Sequence, residues 1–193
     1  MTKLPAIVAL AAATVFVPAG AVFAGVSAKA PTALILQKSD FPAGTTYDAD
    51  DSDLSGFKPR LQAGGVDYEA ATATALRYSS AKGSLNVVSI VFVTPSIAQA
   101  KQAFKLLRPP ASGTFWVAGG TPLPAAAYGD EQVGRLKTAG SEGIWFARIV
   151  VRKRATVWAL SVSSERRPPR AKSEVLAEFA SFARKQKARI GSG

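Results

Sequence analysis

Apolar and polar residues follow strand patterns in five segments, which form two groups along the chain. In the first group, residues 74–79 alternate one by one, and residues 86–93 are apolar on both faces, as is typical of a central strand. In the second group, strands are predicted over residues 132–137, 143–152 and 156–163. Only a short basic stretch separates the last two strands, so we expect them to form a hairpin.

Helical periodicity predicts three helices, over residues 32–38, 96–107 and 170–189. Ser96 stands three residues before Gln99, which is capping-box spacing at the start of the second helix. The segment 45–65 is rich in Asp, Ser, Gly and Pro, so we expect a long surface loop with a short strand near Thr46. The order of the elements predicts an α+β fold, with an antiparallel β-sheet and helices packed against it.

The amino end has the three parts of a secretory signal peptide, namely a basic start at Lys3, an apolar core and small residues at a cut site. We expect residues 1–24 to be removed by cleavage after Ala24, with a second option after Ala28. A proline and a glycine interrupt the apolar core, which favours cleavage over the alternative of an uncleaved membrane anchor.

The predicted mature chain consists of a flexible leader over residues 25–31 and a single α+β domain over residues 32–190. This organisation predicts a secreted or extracytoplasmic protein, located in the periplasm or the cell wall. No cysteine follows the cut site, so attachment to a lipid is excluded. After cleavage we expect a monomer without a transmembrane span.

The chain contains no cysteine and no histidine. Their absence excludes disulfide bonds, thiol nucleophiles, Ser-His-Asp catalysis and ordinary zinc sites. An acidic run from Asp48 to Asp53 invites a calcium site, but an EF-hand would need Gly and Glu where the chain has Asp53 and Pro59. We therefore expect no metal and no cofactor, and we do not expect an enzyme.

The charge of the chain is strongly positive, with 24 Lys and Arg against 13 Asp and Glu and a formal net charge of +11. Outside the cytoplasm the available anions are wall polymers, lipid headgroups and acidic partner proteins, which makes nucleic acid an unlikely partner. General solubility explains the charge equally well at this stage. The candidate binding residues are strand arginines and one glycine-flanked tryptophan: Arg77, Trp116, Arg148, Arg152 and Arg154.

Three short motifs occur in a fixed order: Asp40-Phe41-Pro42-Ala43-Gly44, Gly129-Asp130-Glu131 and Ile149-Val150-Val151-Arg152. With the segment 87–104, they make the chain similar to a broad group of secreted proteins and lipoproteins of actinobacteria and relatives, which includes extracellular sensor-like domains. Some members adopt the α/β sandwich of the photosystem PsbP protein. The resemblance implies a binding or sensing role in the envelope. It carries over no catalytic residue.

The function expected from the sequence is an exported, non-enzymatic module that binds an anionic envelope component or a small ligand. One alternative is a hydrolase that uses carboxylates such as Asp130 and Glu131, although adjacent residues on a strand point to opposite faces and converge only at a bend. Another alternative is an extracellular nucleic-acid binder. Independently of these alternatives, we expect Asp130 or Glu131 to accept a capping hydrogen bond from a backbone N–H or to form an ion pair with a strand arginine.

Overall fold

The computed structural model describes residues 29–49, 57–79, 83–108, 120–139, 144–164 and 171–191. Its strands are β1 (Thr46–Asp48), β2 (Glu69–Ser79), β3 (Gly83–Val93), β4 (Thr121–Pro122), β5 (Glu131–Ala139), β6 (Ile144–Lys153) and β7 (Thr156–Ser164). Its helices are α1 (Pro31–Leu34), α2 (Lys58–Ala63), α3 (Ile97–Leu107) and α4 (Lys172–Gly191), with one turn of 3₁₀-helix at Lys38–Asp40.

The strands form one antiparallel sheet in the order β1-β2-β3-β7-β6-β5-β4. The two predicted groups of strands meet where β3 pairs with β7, and this pairing sets Val91 opposite Trp158. The predicted hairpin is present, because β6 pairs directly with β7 across the turn at Arg154 and Ala155. The α+β class and the antiparallel sheet are confirmed.

Helices cover both faces of the sheet. Helices α1 and α4 pack on one face, where side chains such as Val91, Trp158 and Phe179 form the larger buried cluster. Helices α2 and α3 pack on the other face, where Phe92 and Val157 belong to a smaller cluster. The alternation of side chains along each strand decides which residues enter which cluster.

Strand β2 begins five residues before the predicted start at residue 74. The additional residues are mostly alanines, which have low strand propensity and hide the pattern. Ala71, Ala73 and Ala75 all face α1 and α4 and are buried. Small side chains on this face allow the amino-terminal segment to lie close to the sheet.

The predicted helix over residues 32–38 is wrong in its length, because α1 ends at Leu34 and the chain continues in an extended conformation. Leu34, Ile35 and Leu36 are all at most 1% exposed. Three consecutive residues of a helix point in widely different directions, so a helix here would leave part of this apolar run outside the core.

The predicted surface loop over residues 45–65 is wrong at its end, where α2 occupies Lys58–Ala63. Pro59 favours a loop in a prediction from sequence, but proline is also tolerated in the first turn of a helix. Leu61 is fully buried against the α3 face. A helix of six residues with a single buried leucine shows no periodicity that a sequence pattern could reveal.

The motif Asp40-Phe41-Pro42-Ala43-Gly44 has a structural explanation. The Asp40 carboxylate accepts hydrogen bonds from the Gln37 amide at 2.7 Å and from Arg189 Nε of α4 at 2.7 Å. The Phe41 ring packs on Phe182 of α4, with ring centroids 5.0 Å apart. Gly44 has a φ of +79°, a conformation that favours glycine. Through these contacts, the motif connects the segment after α1 to α4.

Candidate functional site

The four predicted arginines that the structure describes do not gather on one face. Arg77 lies on the α4 side of the sheet and forms an ion pair with Glu178 at 3.8 Å. Arg148 and Arg152 lie on the α3 side, and Arg154 lies at the turn of the β6–β7 hairpin. Trp116 and the predicted cleavage site at Ala24 fall outside the described residues.

Arg148 is half-buried in the middle of β6. Its Nε donates to the hydroxyl of Ser161 on β7 at 3.0 Å, and its guanidinium lies 5.0 Å from the centre of the Phe146 ring. Burial lowers the pKa of Arg148. Arg135 of β5 stands directly opposite it in the register, so two like charges share this part of the sheet.

Arg152 sits at the base of the hairpin and is held by two carboxylates. Its side chain is 7% exposed, its Nη1 donates to Asp130 Oδ2 at 3.0 Å, and its Nε donates to Glu131 Oε2. The two adjacent acids converge because Asp130 lies in a bend before β5 begins. The expectation that Asp130 or Glu131 pairs with a strand arginine is confirmed for both.

Gly129 makes this convergence possible. A Cβ atom at residue 129 would collide with the carbonyl oxygen of Arg152 and with the side chain of Val151. Only a glycine therefore lets the bend approach β6 so closely. The backbone N–H of Asp130 then donates to the carbonyl oxygen of Arg152 at 2.8 Å.

The hairpin turn is bound to the same acid. The backbone N–H of Arg154 donates to Asp130 Oδ2 at 2.8 Å, and Lys153 Nζ lies 3.5 Å from Asp130 Oδ1. The hydrogen bond from Arg154, followed by the positive charges of Arg152 and Lys153, lowers the pKa of Asp130. Arg154 has a φ of +52°, which is uncommon for a residue other than glycine.

The end of α4 carries four basic residues, and the helix distributes them to two sides. Lys185 and Arg189, four residues apart, both donate to Asp40. Arg184 and Lys187, three residues apart, lie on a different side and line a cleft. Two of the four basic residues at the helix end therefore bind Asp40, and the other two line the cleft.

This basic cleft lies between the hairpin turn and the end of α4, and its volume is about 670 Å³. Four positively charged side chains line it, and none of its described lining residues is acidic. The carboxyl end of α4 adds a partial negative charge of about half a unit, which offsets a small part of this charge. The lining residues are Tyr128, Lys153, Arg154, Arg184, Lys187, Ala188, Ile190 and Gly191.

Two of the four cations have no partner in the described part of the chain. The side chains of Arg154 and Arg184 make no ion pair and no hydrogen bond with any described residue. Lys153 shares Asp130 with Arg152, and Lys187 Nζ donates to the carbonyl oxygen of Ala127 at 3.0 Å. Because all four side chains are positive and share one concavity, an anion that enters the cleft is attracted by each of them.

Tyr128 forms the wall of the basic cleft next to the core. The residue is 4% exposed, and its ring packs edge-on against Trp158 with centroids 6.2 Å apart. No described residue forms a hydrogen bond with its hydroxyl group. Burial raises the pKa of Tyr128, and the positive charge of Arg184 opposes this shift. The hydroxyl is therefore a protonated donor close to Arg184.

Sequence reasoning found Arg154 but missed Tyr128, Lys153, Arg184 and Lys187 as cleft residues. The basic end of α4 was visible in the sequence, yet cations in a last helical turn also interact with the helix dipole. The spacing of three between Arg184 and Lys187 was the available signal, since such residues share one side of a helix. Nothing in the sequence places Tyr128 beside them.

The chemistry that this arrangement supports is recognition of negative charge. Arginine and lysine donate charge-assisted hydrogen bonds to phosphate or carboxylate oxygens, and the tyrosine hydroxyl adds a neutral donor. Ala188 and Ile190 supply an apolar surface beside these donors. Over the described ranges, no group of three or more acidic residues is arranged to hold a metal ion.

Comparisons with known proteins show a distant structural similarity. No protein-family model matches the chain, and no curated protein matches it. Among solved structures, the chain is similar to the extracellular domain of PknH from Mycobacterium tuberculosis, with 13% sequence identity and a TM-score of 0.41. The match covers 79% of this chain and 94% of that one. A similarity of this degree carries no argument about function.

No helix of the described segments combines the length and the apolar character needed to cross a membrane.

Proposed function

We propose that this protein is a non-enzymatic, extracytoplasmic binding module whose basic cleft holds an anionic group of a cell-envelope component. The observation that carries the proposal is that two arginines without a described partner, Arg154 and Arg184, share one cleft with the hydroxyl of Tyr128, and that none of the described lining residues is acidic. The extracytoplasmic location rests on the predicted signal peptide, and the sheet between two layers of helices supports classification with the PsbP-like sensor domains.

A surface that only provides solubility would be arranged differently. Charges that only confer solubility need no concave site and no neutral donor beside them. In the basic cleft, four cations and the hydroxyl of Tyr128 share one concavity, and no described residue accepts a hydrogen bond from this hydroxyl. An anion in the cleft can accept hydrogen bonds from the hydroxyl and from the cations together.

The two acids near the cleft give no support to a hydrolase. Asp130 and Glu131 both bind Arg152, and the lowered pKa of Asp130 keeps that group ionised near neutral pH. A general acid needs the opposite, a carboxyl group whose pKa is raised towards neutrality. The pair stabilises the hairpin that presents Arg154.

The test uses pyrophosphate as the probe, with binding measured by isothermal titration calorimetry at low ionic strength. We expect the double variant Arg154→Gln/Arg184→Gln to lose at least about 100-fold in affinity, because each of the two charge-assisted hydrogen bonds contributes roughly 1.5–3 kcal/mol. The matched control is Lys58→Gln/Lys172→Gln, which removes the same charge from exposed residues outside the cleft.

The control separates a specific cleft from the general field of a basic protein. Equal losses in both double variants would mean that net charge alone attracts the anion, and the proposal would fail. Binding of the unmodified protein should weaken as salt is added, since added ions screen exposed charges. No binding of pyrophosphate at low salt would also refute the proposal.

A further inference from the structure

A second basic cleft lies on the opposite face of the sheet, along α3. Its volume is also about 670 Å³, and its cations are Lys101, Lys105 and Arg108. No described residue forms an ion pair or a hydrogen bond with these three side chains. The rest of its lining is Gln102, Phe104, Leu106 and Glu131. We refer to it as the α3 cleft.

One cluster of ion pairs separates the α3 cleft from the basic cleft. Lys153, which lines the basic cleft, contacts Asp130, and Asp130 contacts Arg152. Arg152 in turn contacts Glu131, which lines the α3 cleft. The cluster contains two acids and two cations, so the boundary between the two clefts carries no net charge.

Positive charge continues beyond the α3 cleft along β5. Arg135 and Lys137 follow Glu131 by four and six residues, so all three lie on the same face of the strand. Successive residues on one face of a strand are about 7 Å apart. Arg148 of β6 lies directly opposite Arg135. We refer to the cations of the two clefts, together with these cations of β5 and β6, as the basic band.

We propose that this band binds one linear polymer with repeating phosphate groups, which occupies both clefts at once. The inference rests on the proposed function and specifies its ligand. A small anion fills one cleft only, and a flat anionic membrane reaches only one face of the sheet at a time. A flexible chain of phosphates passes around the neutral ion-pair cluster and contacts cations on both sides.

Phosphate groups fit this band because each offers several acceptor oxygens to arginine and lysine. A polymer also gains from the connection between its groups. Once one cleft is occupied, the second binding step becomes intramolecular, which raises affinity by a factor of 10²–10⁴ in comparable linked systems. The expected signature is an affinity that rises steeply with the length of the chain.

The experiment compares pyrophosphate with long-chain inorganic polyphosphate by calorimetry on the mature protein. We expect polyphosphate to bind at least about 100-fold more tightly than pyrophosphate. The triple variant Lys101→Gln/Lys105→Gln/Arg108→Gln should lose most of this gain and keep the affinity for pyrophosphate. The matched control is Lys38→Gln/Lys58→Gln/Lys172→Gln, three exposed lysines outside both clefts, which should retain more than half of the gain.

Other outcomes overturn the inference in distinguishable ways. If pyrophosphate binding depends on Arg154 and Arg184 but chain length adds nothing, the two-cleft inference is wrong and the proposed function stands. If neither probe binds, both are wrong. Poly-glutamate binding as tightly as polyphosphate would refute the phosphate specificity. If single-stranded DNA binds more tightly than polyphosphate with the same number of phosphates, the ligand is a nucleic acid and the inference of a polymer without bases is wrong.

Discussion

Two arginines of the same hairpin have opposite surroundings. The side chain of Arg152 is 7% exposed and contacts two carboxylates, whereas Arg154 is exposed, lines the basic cleft and has no described carboxylate in contact with its side chain. Only one residue separates them. The difference shows that a positive charge surrounded by acids serves folding, and that one left without acids in a concavity is available to a ligand.

The end of α4 repeats this division. Arg189 is paired with Asp40, which belongs to the segment after α1, while Arg184 faces the basic cleft. In both places, the acids decide the role of each cation. The comparison predicts that variants at the paired arginines change the free energy of unfolding, and that variants at the unpaired ones change affinity for anions.

The largest effect is expected for Arg152→Met. The substitution leaves Asp130 and Glu131 close together without the cation between them, so the free energy of unfolding should fall by about 3 kcal/mol in urea denaturation. Adding Asp130→Asn and Glu131→Gln to Arg152→Met should restore most of that loss, because no uncompensated charge remains. A free energy within about 0.5 kcal/mol of the wild type would show that the cluster is not structural.

Arg154→Gly should separate stability from binding. Glycine adopts a φ of +52° without strain, so the free energy of unfolding should rise by about 1 kcal/mol. The affinity for pyrophosphate should fall about tenfold with the loss of one charge-assisted donor. Arg154→Lys is the control, since it keeps the charge and the strain. Unchanged affinity in Arg154→Gly would remove this residue from the site.

A smaller effect is expected for Tyr128→Phe. The ring still packs on Trp158, so the melting temperature should stay unchanged, while loss of the hydroxyl donor should weaken pyrophosphate binding about threefold. Tyr128→Ala is the comparison, because it also opens a cavity beside the core and should lower the melting temperature. Equal binding by Tyr128→Phe and the wild type would mean that the hydroxyl faces water rather than the ligand.

The smallest effect concerns pH and Asp130. The pKa of Asp130 is lowered in the folded protein, so its ionised form contributes stability above the ordinary pKa of an aspartate, and this contribution is lost as pH falls through the folded pKa. Asp130→Asn should therefore flatten the acid side of the stability curve, below about pH 4. The side chain is 35% exposed, so solvent limits the difference to about 1 kcal/mol or less.

A matched acid shows whether this pH effect is specific. Asp67 is exposed and, in the described part of the chain, its side chain accepts a hydrogen bond from the amide of Gln99, so Asp67→Asn is the control that removes one carboxylate outside the ion-pair cluster. Chemical denaturation at a series of pH values measures both variants. Identical curves for the two would contradict the assigned role of Asp130.

Much of the fold was predictable, because strand and helix patterns are local. The β6–β7 hairpin, the cap of Ser96 on α3 and the buried face of α4 all agree with the structure. The short helix α2 and the alanine-rich start of β2 were not predictable, since neither has a periodic apolar pattern. Their conformation depends on distant partners that cover Leu61 and the alanines of β2.

The candidate site was predictable only in part. Arg154 was selected as one of several strand arginines, but its place in the basic cleft depends on neighbours that lie far away in the chain. The structure brings Arg184 and Lys187 of α4 to the hairpin turn, and it sets Tyr128 between them and the core. No spacing rule connects residues about 30 positions apart, so the cleft could not be predicted from the sequence.

The sequence by itself determined the antiparallel α+β architecture, the absence of histidine and cysteine chemistry, and the total positive charge. Each depends on composition or on periodicity between near neighbours. The tertiary structure alone decided which cations are neutralised, since Asp40 and Arg189 are 149 residues apart and Asp130 and Arg152 are 22 apart. Coulomb interactions depend on distance in space, so folding separates the structural arginines from those left open to a ligand.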